Sequence, residues 1–313
     1  MATRFGYSEA LIRLLDQNKD ILVLDADLAK STTTSLVQDR YPDHFVDVGI
    51  AEQNLVGIAA GISLNGTTPF ISTYAAFLAG RAFDQIRTTV CYSNLNVKFA
   101  GMHTGITVGE DGPTHQMLED IALMRVLPNM TILNPCDYNE AVKATLAADN
   151  LKGPVYIRFV RESTEVFTKK NDRFVVGEAN ELLKGKDLTF ISSGPILYKA
   201  LQAAEELINE GYSIRVLNFH TIKPLDNDAI IKAAMETKGI LVIDEHQIYG
   251  GLGTAVSEVI AMNNLDVLYK LIAVEDRFLT SGKPEELLNM TGFTKENIKR
   301  IAKEMITQKK SGT

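Results

Sequence analysis

The sequence predicts an α/β protein made of two consecutive domains with mostly parallel sheets. Short, continuously apolar stretches alternate with stretches whose apolar residues recur at helical spacing, a pattern typical of parallel strands covered by helices on both faces. The alternation occurs twice, and a charged and polar segment separates the two sets. A length of 313 residues is sufficient for two separate cores. We therefore predict domains at 1–165 and 186–313, joined by a linker at 166–185.

The first domain begins with a predicted helix at 7–18, for which Ser8 is the expected N-terminal cap. Its apolar strands are predicted at 20–24, 45–48, 70–73, 97–100, 131–133 and 155–159. Its further helices are predicted at 51–65, 76–92, 116–127 and 137–149.

The second domain has a similar but smaller set of elements, with strands predicted at 188–192, 214–219, 240–244 and 268–274. A glycine-rich turn at 250–253 precedes a helix. It lacks a phosphate-binding fingerprint, so we interpret it as structural. Glu245 and His246 stand just before this turn. Two residues are too few for a metal site, so we interpret them as the end of a strand at a subunit interface.

The composition is ordinary for a globular protein, with 45% hydrophobic and 23% charged residues. The net charge of −7 is spread without a basic block, so no nucleic-acid partner is expected. No apolar run is long enough to span a bilayer, and the N-terminal residues lack the apolar core of a signal peptide. Cys91 and Cys136 cannot form a disulfide framework. We expect a cytoplasmic protein without a membrane partner.

Polar and aromatic side chains follow several of the predicted strands of the first domain. They are Asp27, Glu52, Tyr74, His103 and His115. In open parallel sheets, ligands bind outside the carboxyl ends of the strands. The positions of these residues therefore predict a ligand site at that edge.

Glu52 lies between Ile50, Ala51 and Leu55 at the predicted start of a helix. Apolar surroundings favour the protonated form of a carboxyl group, which would allow Glu52 to act as a proton donor. The helix dipole favours the charged form instead. From these residues alone, a carboxylate that simply begins a helix is the favoured interpretation.

Four blocks in order resemble the pyrimidine-binding domain of transketolase, a thiamine-diphosphate-dependent family. They are GIAEQNLVGIAAG (49–61), STYAAFLAGRAFDQIR (72–87), GEDGPTHQ (109–116) and EDIALMRVLPN (119–129). The second domain is similar to the family's C-terminal domain. Because the chain has about half the length of a one-chain transketolase, it resembles the C-terminal subunit of a split transketolase.

The resemblance implies a set of cofactor-binding residues. Glu52 matches the family's catalytic glutamate, which engages the aminopyrimidine ring of thiamine diphosphate. Tyr74 and Phe77 match the aromatic residues that bind this ring. Asp27 matches an acidic residue of the cofactor cleft. His115 resembles a residue beside the cofactor that donates hydrogen bonds to developing negative charge, so the resemblance implies a catalytic role for it as well as for Glu52.

The resemblance also implies a site for a phosphorylated sugar. Arg4, Ser31, His103 and Arg161 match the positions that hold the substrate phosphate, and arginine suits phosphate because its planar fork forms two parallel hydrogen bonds. Asp111 resembles the residue that contacts the substrate hydroxyl next to the reacting carbon.

Thiamine enzymes hold the diphosphate through a divalent metal bound by a GDG motif and a later asparagine, and no GDG occurs in the sequence. We therefore predict no metal ligand on this chain. The Mg²⁺ or Ca²⁺ ligands are expected on an N-terminal transketolase subunit that carries GDG and the asparagine, in an α2β2 assembly.

The resemblance implies transfer of a two-carbon ketol unit from a ketose phosphate to an aldose phosphate. Two other thiamine enzymes are alternatives, 1-deoxyxylulose-5-phosphate synthase and the β subunit of a 2-oxoacid dehydrogenase E1 component. The GEDGPTHQ block with Arg4 and Ser31 favours transketolase over the first. The phosphate-site residues argue against the second, whose substrates carry no sugar phosphate. A non-catalytic protein with this fold would be expected to lack Glu52 or the aromatic pair. The donor stays open between ordinary pentose-phosphate sugars and sulfonated or branched sugars.

Overall fold

The computed structural model of the protein describes residues 1–308, which form two α/β domains. The strands are β1 Ile21–Asp25, β2 Phe45–Asp47, β3 Thr68–Tyr74, β4 Lys98–Met102, β5 Thr131–Leu133, β6 Val155–Arg158, β7 Asn180–Leu183, β8 Leu188–Ser192, β9 Ile214–Asn218, β10 Thr221–Lys223, β11 Gly239–Gln247 and β12 Leu268–Val274.

The helices are α1 Thr3–Asp16, α2 Ala29–Thr32, α3 Ser35–Arg40, α4 Glu52–Ser63, α5 Ala75–Arg81, α6 Asp120–Arg125, α7 Tyr138–Asn150, α8 Leu197–Asn209, α9 Asn227–Glu236, α10 Leu252–Met262, α11 Pro284–Met290 and α12 Lys295–Gln308. Short 3-10 segments occur at Pro42–His44 and Ile106–Asp111, and a π-helical segment occurs at Gln85–Cys91.

The predicted fold class is confirmed, since both domains are built on mostly parallel sheets. The first sheet has the strand order β10-β5-β6-β4-β3-β1-β2, and β10 runs antiparallel to its neighbour β5. The second sheet has the order β12-β11-β8-β9-β7, and β7 runs antiparallel to β9. The central strands β3, β4, β6 and β8 are buried along their whole length, apart from the half-buried last residue of β3. This burial explains why their sequences are largely apolar, although polar residues such as Lys98 and Arg158 stand at strand ends.

Two short strands were not predicted from the sequence. Strand β7 lies inside the segment 166–185, which we predicted to be a linker, and it forms an edge of the second sheet. Strand β10 follows β9 of the second domain along the chain but pairs with β5 of the first sheet. Both strands are only three or four residues long and lie at sheet edges, where a long apolar run is not needed.

The first helix differs from the prediction at its beginning. Helix α1 begins at Thr3, and Ala2 precedes it without a side-chain cap. The prediction that Ser8 caps this helix is wrong, because Ser8 is buried inside α1 and donates a hydrogen bond to the carbonyl oxygen of Thr33 at 2.9 Å. This contact ties α1 to the segment after α2, next to the candidate site.

The helix predicted at 116–127 begins later, at Asp120. The residues before it belong to a loop, because Met117 forms an isolated parallel bridge with Thr104 instead of joining the helix. The helix predicted at 76–92 is divided into α5 and the π-helical segment. Helices α4 and α7 lie close to their predicted bounds.

Candidate active site

The candidate residues lie along one edge of the first sheet, where four neighbouring strands end. Strands β6, β4, β3 and β1 are adjacent and parallel, so their carboxyl ends share one edge. Asp27 follows β1, Tyr74 ends β3, His103 follows β4 and Arg161 follows β6. Asp27 and His103 have left-handed backbone conformations, with φ of 60° and 57°. Such conformations cost non-glycine residues about 1–3 kcal/mol each and concentrate at functional sites.

Arg4, Ser31 and His103 come together although they are far apart in sequence. The Nη1 atom of Arg4 donates a hydrogen bond to the carbonyl oxygen of Ser31 at 2.7 Å. The same atom lies 3.3 Å from Nε2 of His103. Arg4 is half-buried in the first turn of α1, and His103 is buried.

The electrostatic environment of this cluster is strongly positive. Burial, together with the charges of Arg4 and Arg161, lowers the pKa of His103 to about 3. Burial and the charge of Arg161 also lower the pKa of the Arg4 guanidinium. Within residues 1–308, the buried atoms Nδ1 of His103 and Nε of Arg4 have no hydrogen-bond partner. Arg4, Ser31, His103 and Arg161, here called the cationic cluster, are partly buried. A partly buried positive site with unpartnered polar atoms fits an anion as its ligand.

Arg161 and Asp111 form an ion pair at 3.0 Å, and each side chain is about one-third exposed. The Nη1 atom of Arg161 also lies 3.4 Å from the carbonyl oxygen of Val108. Arg161 therefore connects the cationic cluster to the loop that carries Asp111. The sequence did not indicate this pairing, because the two residues are 50 positions apart.

Tyr74, Phe77 and His115 contact one another beside the cationic cluster and are here called the aromatic wall. The ring of Tyr74 stacks on His103 with a centroid distance of 4.1 Å. Phe77 lies 5.7 Å from Tyr74 and 5.3 Å from His115, measured between ring centroids. His115 meets both aromatic rings edge-on. Tyr74, Phe77 and His115 are each half-buried, so their rings are partly accessible to a ligand.

Glu52 begins helix α4, and its side chain is only 5% exposed. Its Oε1 atom accepts a hydrogen bond from Nη1 of Arg81 at 3.1 Å. The Arg81 guanidinium lies 4.0 Å from the centroid of the Phe77 ring, so it links Glu52 to the aromatic wall. We did not predict Arg81 as a site residue. The sequence contained one indication of its role. Arg81 follows Phe77 by four residues, and residues at that spacing share one face of a helix.

Asp27 follows β1 at the same edge of the sheet. Its side chain is exposed, and its amide donates a hydrogen bond to Oδ1 of Asp47 at 3.0 Å. The neighbouring Asp25 is buried and accepts hydrogen bonds from the hydroxyls of Thr32 and Thr34 at 2.7 and 2.9 Å. Burial raises the pKa of Asp25 to about 6. Asp25 thus orders the segment that contains Ser31, a role that the sequence analysis missed.

Within residues 1–308, no group of three or more histidine, cysteine, aspartate or glutamate side chains is arranged to hold a metal ion. None of the helices described for this chain combines the length and the apolar character needed to cross a bilayer.

We expect an anion bound at the cationic cluster to raise the pKa of His103 above its value of about 3, because a negative charge offsets those of Arg4 and Arg161. The measurement is an NMR titration of the histidine ring signals with and without inorganic phosphate. His44 is the internal control, because its ring contacts the carbonyl oxygen of Ile21 at the opposite edge of the sheet. A His103 titration that phosphate leaves unchanged would contradict the assignment.

Comparisons with known proteins identify the family to which the chain belongs. The family profile for the transketolase pyrimidine binding domain matches residues 1–166, and that for the transketolase C-terminal domain matches residues 177–298. A protein of Methanocaldococcus jannaschii, named as a transketolase C-terminal section, is 43% identical over 305 residues, covering 96% of each chain. Transketolase of Homo sapiens is 41% identical over 98% of this chain but only 49% of its own length. This chain therefore spans about half of the human protein.

A 6-deoxy-6-sulfo-D-fructose transketolase subunit of a Clostridium species is 36% identical, over 98% of this chain and 95% of its own. Among solved structures, a split-gene transketolase in an inactive beta4 tetramer superposes with a TM-score of 0.91 and 40% identity, covering 98% of this chain and 99% of that chain. Family profiles, relatives and fold agree over nearly the whole sequence. This chain therefore belongs to the transketolase family and consists of that family's pyrimidine-binding and C-terminal domains.

Proposed function

We propose that this chain is one subunit of a thiamine-diphosphate-dependent transketolase, which moves a two-carbon ketol unit from a ketose phosphate to an aldose phosphate. The observation that carries the proposal is the position of a cationic cluster directly beside an aromatic wall at one sheet edge. Tyr74 belongs to the wall and stacks at 4.1 Å on His103, which belongs to the cluster. A phosphorylated sugar next to an aromatic heterocycle needs this combination.

The residues on this chain fit the aminopyrimidine half of the cofactor. Tyr74 and Phe77 offer partly accessible rings for stacking. Glu52 offers a buried carboxyl group beside them, through which it would hold a proton at the pyrimidine ring nitrogen. When bound, thiamine diphosphate supplies the nucleophilic carbon that accepts and releases the two-carbon unit. His115, at the edge of the wall, would donate a hydrogen bond to negative charge that develops on the substrate oxygen. Asp27, on the same edge, is proposed as an outer residue of the cofactor cleft.

The cationic cluster would hold the sugar phosphate. Arg4 and Arg161 supply guanidinium groups, while Ser31 and His103 supply neutral donors. In this arrangement Asp111 would accept a hydrogen bond from the sugar hydroxyl next to the reacting carbon, and its pairing with Arg161 orients it. A cluster that holds a phosphate group supports a sugar phosphate over the 2-oxoacid substrates of the E1 alternative, which carry a carboxylate but no phosphate.

We infer that a second polypeptide completes the enzyme in an α2β2 assembly. Human transketolase carries a region of similar length to this chain in addition to the matched half, and the M. jannaschii relative bears the name of a C-terminal section. The partner would supply the diphosphate and metal ligands, including the GDG motif that is absent from this sequence.

The same cluster is compatible with a second class of donor. The Clostridium relative is named for a sulfonated fructose, and a sulfonate, like a phosphate, presents oxygens with negative charge to arginine. A panel of fructose 6-phosphate, sulfofructose and hydroxypyruvate, assayed with the assembled enzyme, would rank the donors.

The chain on its own is expected to be inactive and to bind thiamine diphosphate with a Kd above about 100 μM, because the diphosphate ligands lie on the partner. Addition of the N-terminal subunit with Mg²⁺ should produce ketol transfer. Calorimetric titration of the purified chain and a coupled assay of the mixture measure the two quantities. Sub-micromolar binding, or turnover by this chain alone, would refute the two-subunit proposal.

A further inference from the structure

The segment 105–116, here called the active-site loop, carries both Asp111 and His115. Toward the first domain, its polar contacts are few. Arg161 pairs with Asp111, and the amide of Gly105 donates a hydrogen bond to the carbonyl oxygen of Met117. Arg161 also contacts the carbonyl oxygen of Val108, and the His115 ring meets the aromatic wall. Three further sets of contacts are with the C-terminal domain.

Glu245, near the end of β11 in the C-terminal domain, is the first of these contacts. Its Oε1 atom accepts a hydrogen bond from the backbone amide of Ile106 at 2.9 Å. A Cβ atom added to Gly105 would lie 2.2 Å from the same oxygen, so the loop can approach the carboxyl group only because residue 105 is glycine. Burial raises the pKa of Glu245 to about 7, although the charge of Arg158 opposes the rise. Glu245 lies near the end of a strand, as predicted, and contacts the active-site loop within the chain. Its position at a subunit interface stays a prediction.

The turn 280–284 is the second contact. The Oγ atom of Ser281 donates a hydrogen bond to the carbonyl oxygen of Glu110 at 2.6 Å. Nε2 of Gln116 donates one to the carbonyl oxygen of Thr280 at 3.1 Å. These bonds hold the residues on both sides of Asp111 and His115.

Apolar packing is the third contact. Ile106 is fully buried in the core cluster of the C-terminal domain, together with Leu279 and Leu287. Leu118, which follows the loop, belongs to the same cluster, and its carbonyl oxygen accepts a hydrogen bond from the amide of Gln247 at 2.9 Å. The loop is thus built into the C-terminal domain at both of its ends.

We propose that the C-terminal domain holds the active-site loop in its working conformation, with Glu245 and Ser281 as positioning residues for Asp111 and His115. The functional part of this inference rests on the proposed transketolase activity, while the structural part concerns only this chain. A freely rotating loop residue would lose conformational entropy when the substrate binds. A loop that is already held in place avoids this loss, so it does not weaken binding or slow the reaction.

The structural part is tested by hydrogen–deuterium exchange on the full chain, without partner or cofactor. Glu245→Ala should accelerate exchange of the amides at 105–107 by about tenfold, because the amide of Ile106 loses its acceptor. Glu245→Gln, which keeps an acceptor oxygen, should stay within about threefold of wild type. Glu236→Ala is the matched control, since Glu236 pairs with Arg215 inside the C-terminal domain. Unchanged exchange in Glu245→Ala, or an equal acceleration in β8, would overturn the assignment of Glu245.

Ser281→Ala provides an independent variant that removes one exposed hydroxyl group. It should accelerate exchange at 109–113 by about threefold. Ser257→Ala is its matched control, because the Ser257 hydroxyl donates a hydrogen bond inside helix α10, to the carbonyl oxygen of Thr254. Identical exchange in the two serine variants would overturn the role of the 280–284 turn.

In the assembled enzyme, Glu245→Ala should lower kcat/KM for a ketose phosphate about tenfold, and Glu245→Gln should restore most of it. Equal losses in both variants would overturn the positioning role. If the assembled enzyme transferred no ketol unit at all, the proposed function would fail, whereas the exchange results on the chain would stand.

Discussion

Replacement of Glu52 by glutamine is expected to lower kcat of the assembled enzyme by about 10²–10⁴-fold, the usual contribution of a general acid or base. Glutamine retains the shape of the side chain and an oxygen that accepts the hydrogen bond of Arg81. It cannot exchange a proton with the pyrimidine ring of the cofactor. The fold and the assembly should therefore persist while the chemistry is lost. Steady-state kinetics of the reconstituted variant measure the effect.

The control for this variant is Glu258→Gln. Glu258 also pairs with an arginine, Arg125, but it lies on helix α10 away from the candidate site. Both variants should melt within a few degrees of wild type. If Glu52→Gln retained activity within about threefold of wild type, Glu52 would be only a buried carboxylate that begins a helix and pairs with Arg81.

Replacement of Arg161 by alanine is expected to raise KM for phosphorylated sugars by about 10–100-fold, which corresponds to about 1.5–3 kcal/mol for a hydrogen bond to a charged group. The same variant should barely change KM for hydroxypyruvate, which carries no phosphate and does not reach the cationic cluster. Assays of both donors on one protein separate phosphate recognition from general damage.

Arg173→Ala is the matched control, since Arg173 forms an exposed ion pair with Glu178. Such pairs contribute little to stability. The pairing of Arg161 with Asp111 makes the donor comparison informative. Equal losses on both donors would mean that Arg161 acts by orienting Asp111 rather than by binding phosphate, and would weaken the case against the E1-type alternative.

The strands that were predicted correctly are those that contain a run of mostly apolar residues in the sequence. Strand β8, which is buried along its whole length, has the predicted bounds, because strands covered on both faces are largely apolar. Strands β5 and β12 also have the predicted bounds, although β12 is a mostly half-buried edge strand. Strands β7 and β10 escaped prediction because short edge strands are stabilised mainly by hydrogen bonds to a neighbour, which carry no local pattern. The start of α6 was misplaced for a related reason, since Met117 pairs with Thr104 instead of continuing the helix.

For the candidate site, the motifs indicated which residues matter but not how they pair. Arg81 belongs to the block at 72–87 that resembles transketolase. Only the folded chain shows that its guanidinium lies between Glu52 and the ring of Phe77. Asp25 and Asp27 are close in sequence, and the sequence did not show which of them is held by other side chains. Their difference arises from the hydroxyls of Thr32 and Thr34, which converge on Asp25 alone.

The sequence by itself determined the two-domain α/β fold, the family and the edge of the sheet at which the candidate residues gather, because apolar periodicity and local motifs encode these features. The tertiary structure alone decided the contacts between distant segments. Examples are Arg4 with His103, Arg161 with Asp111, and Glu245 with the active-site loop. Hydrogen bonds and ion pairs depend on distances of a few ångströms between side chains, and such distances exist only after the chain has folded.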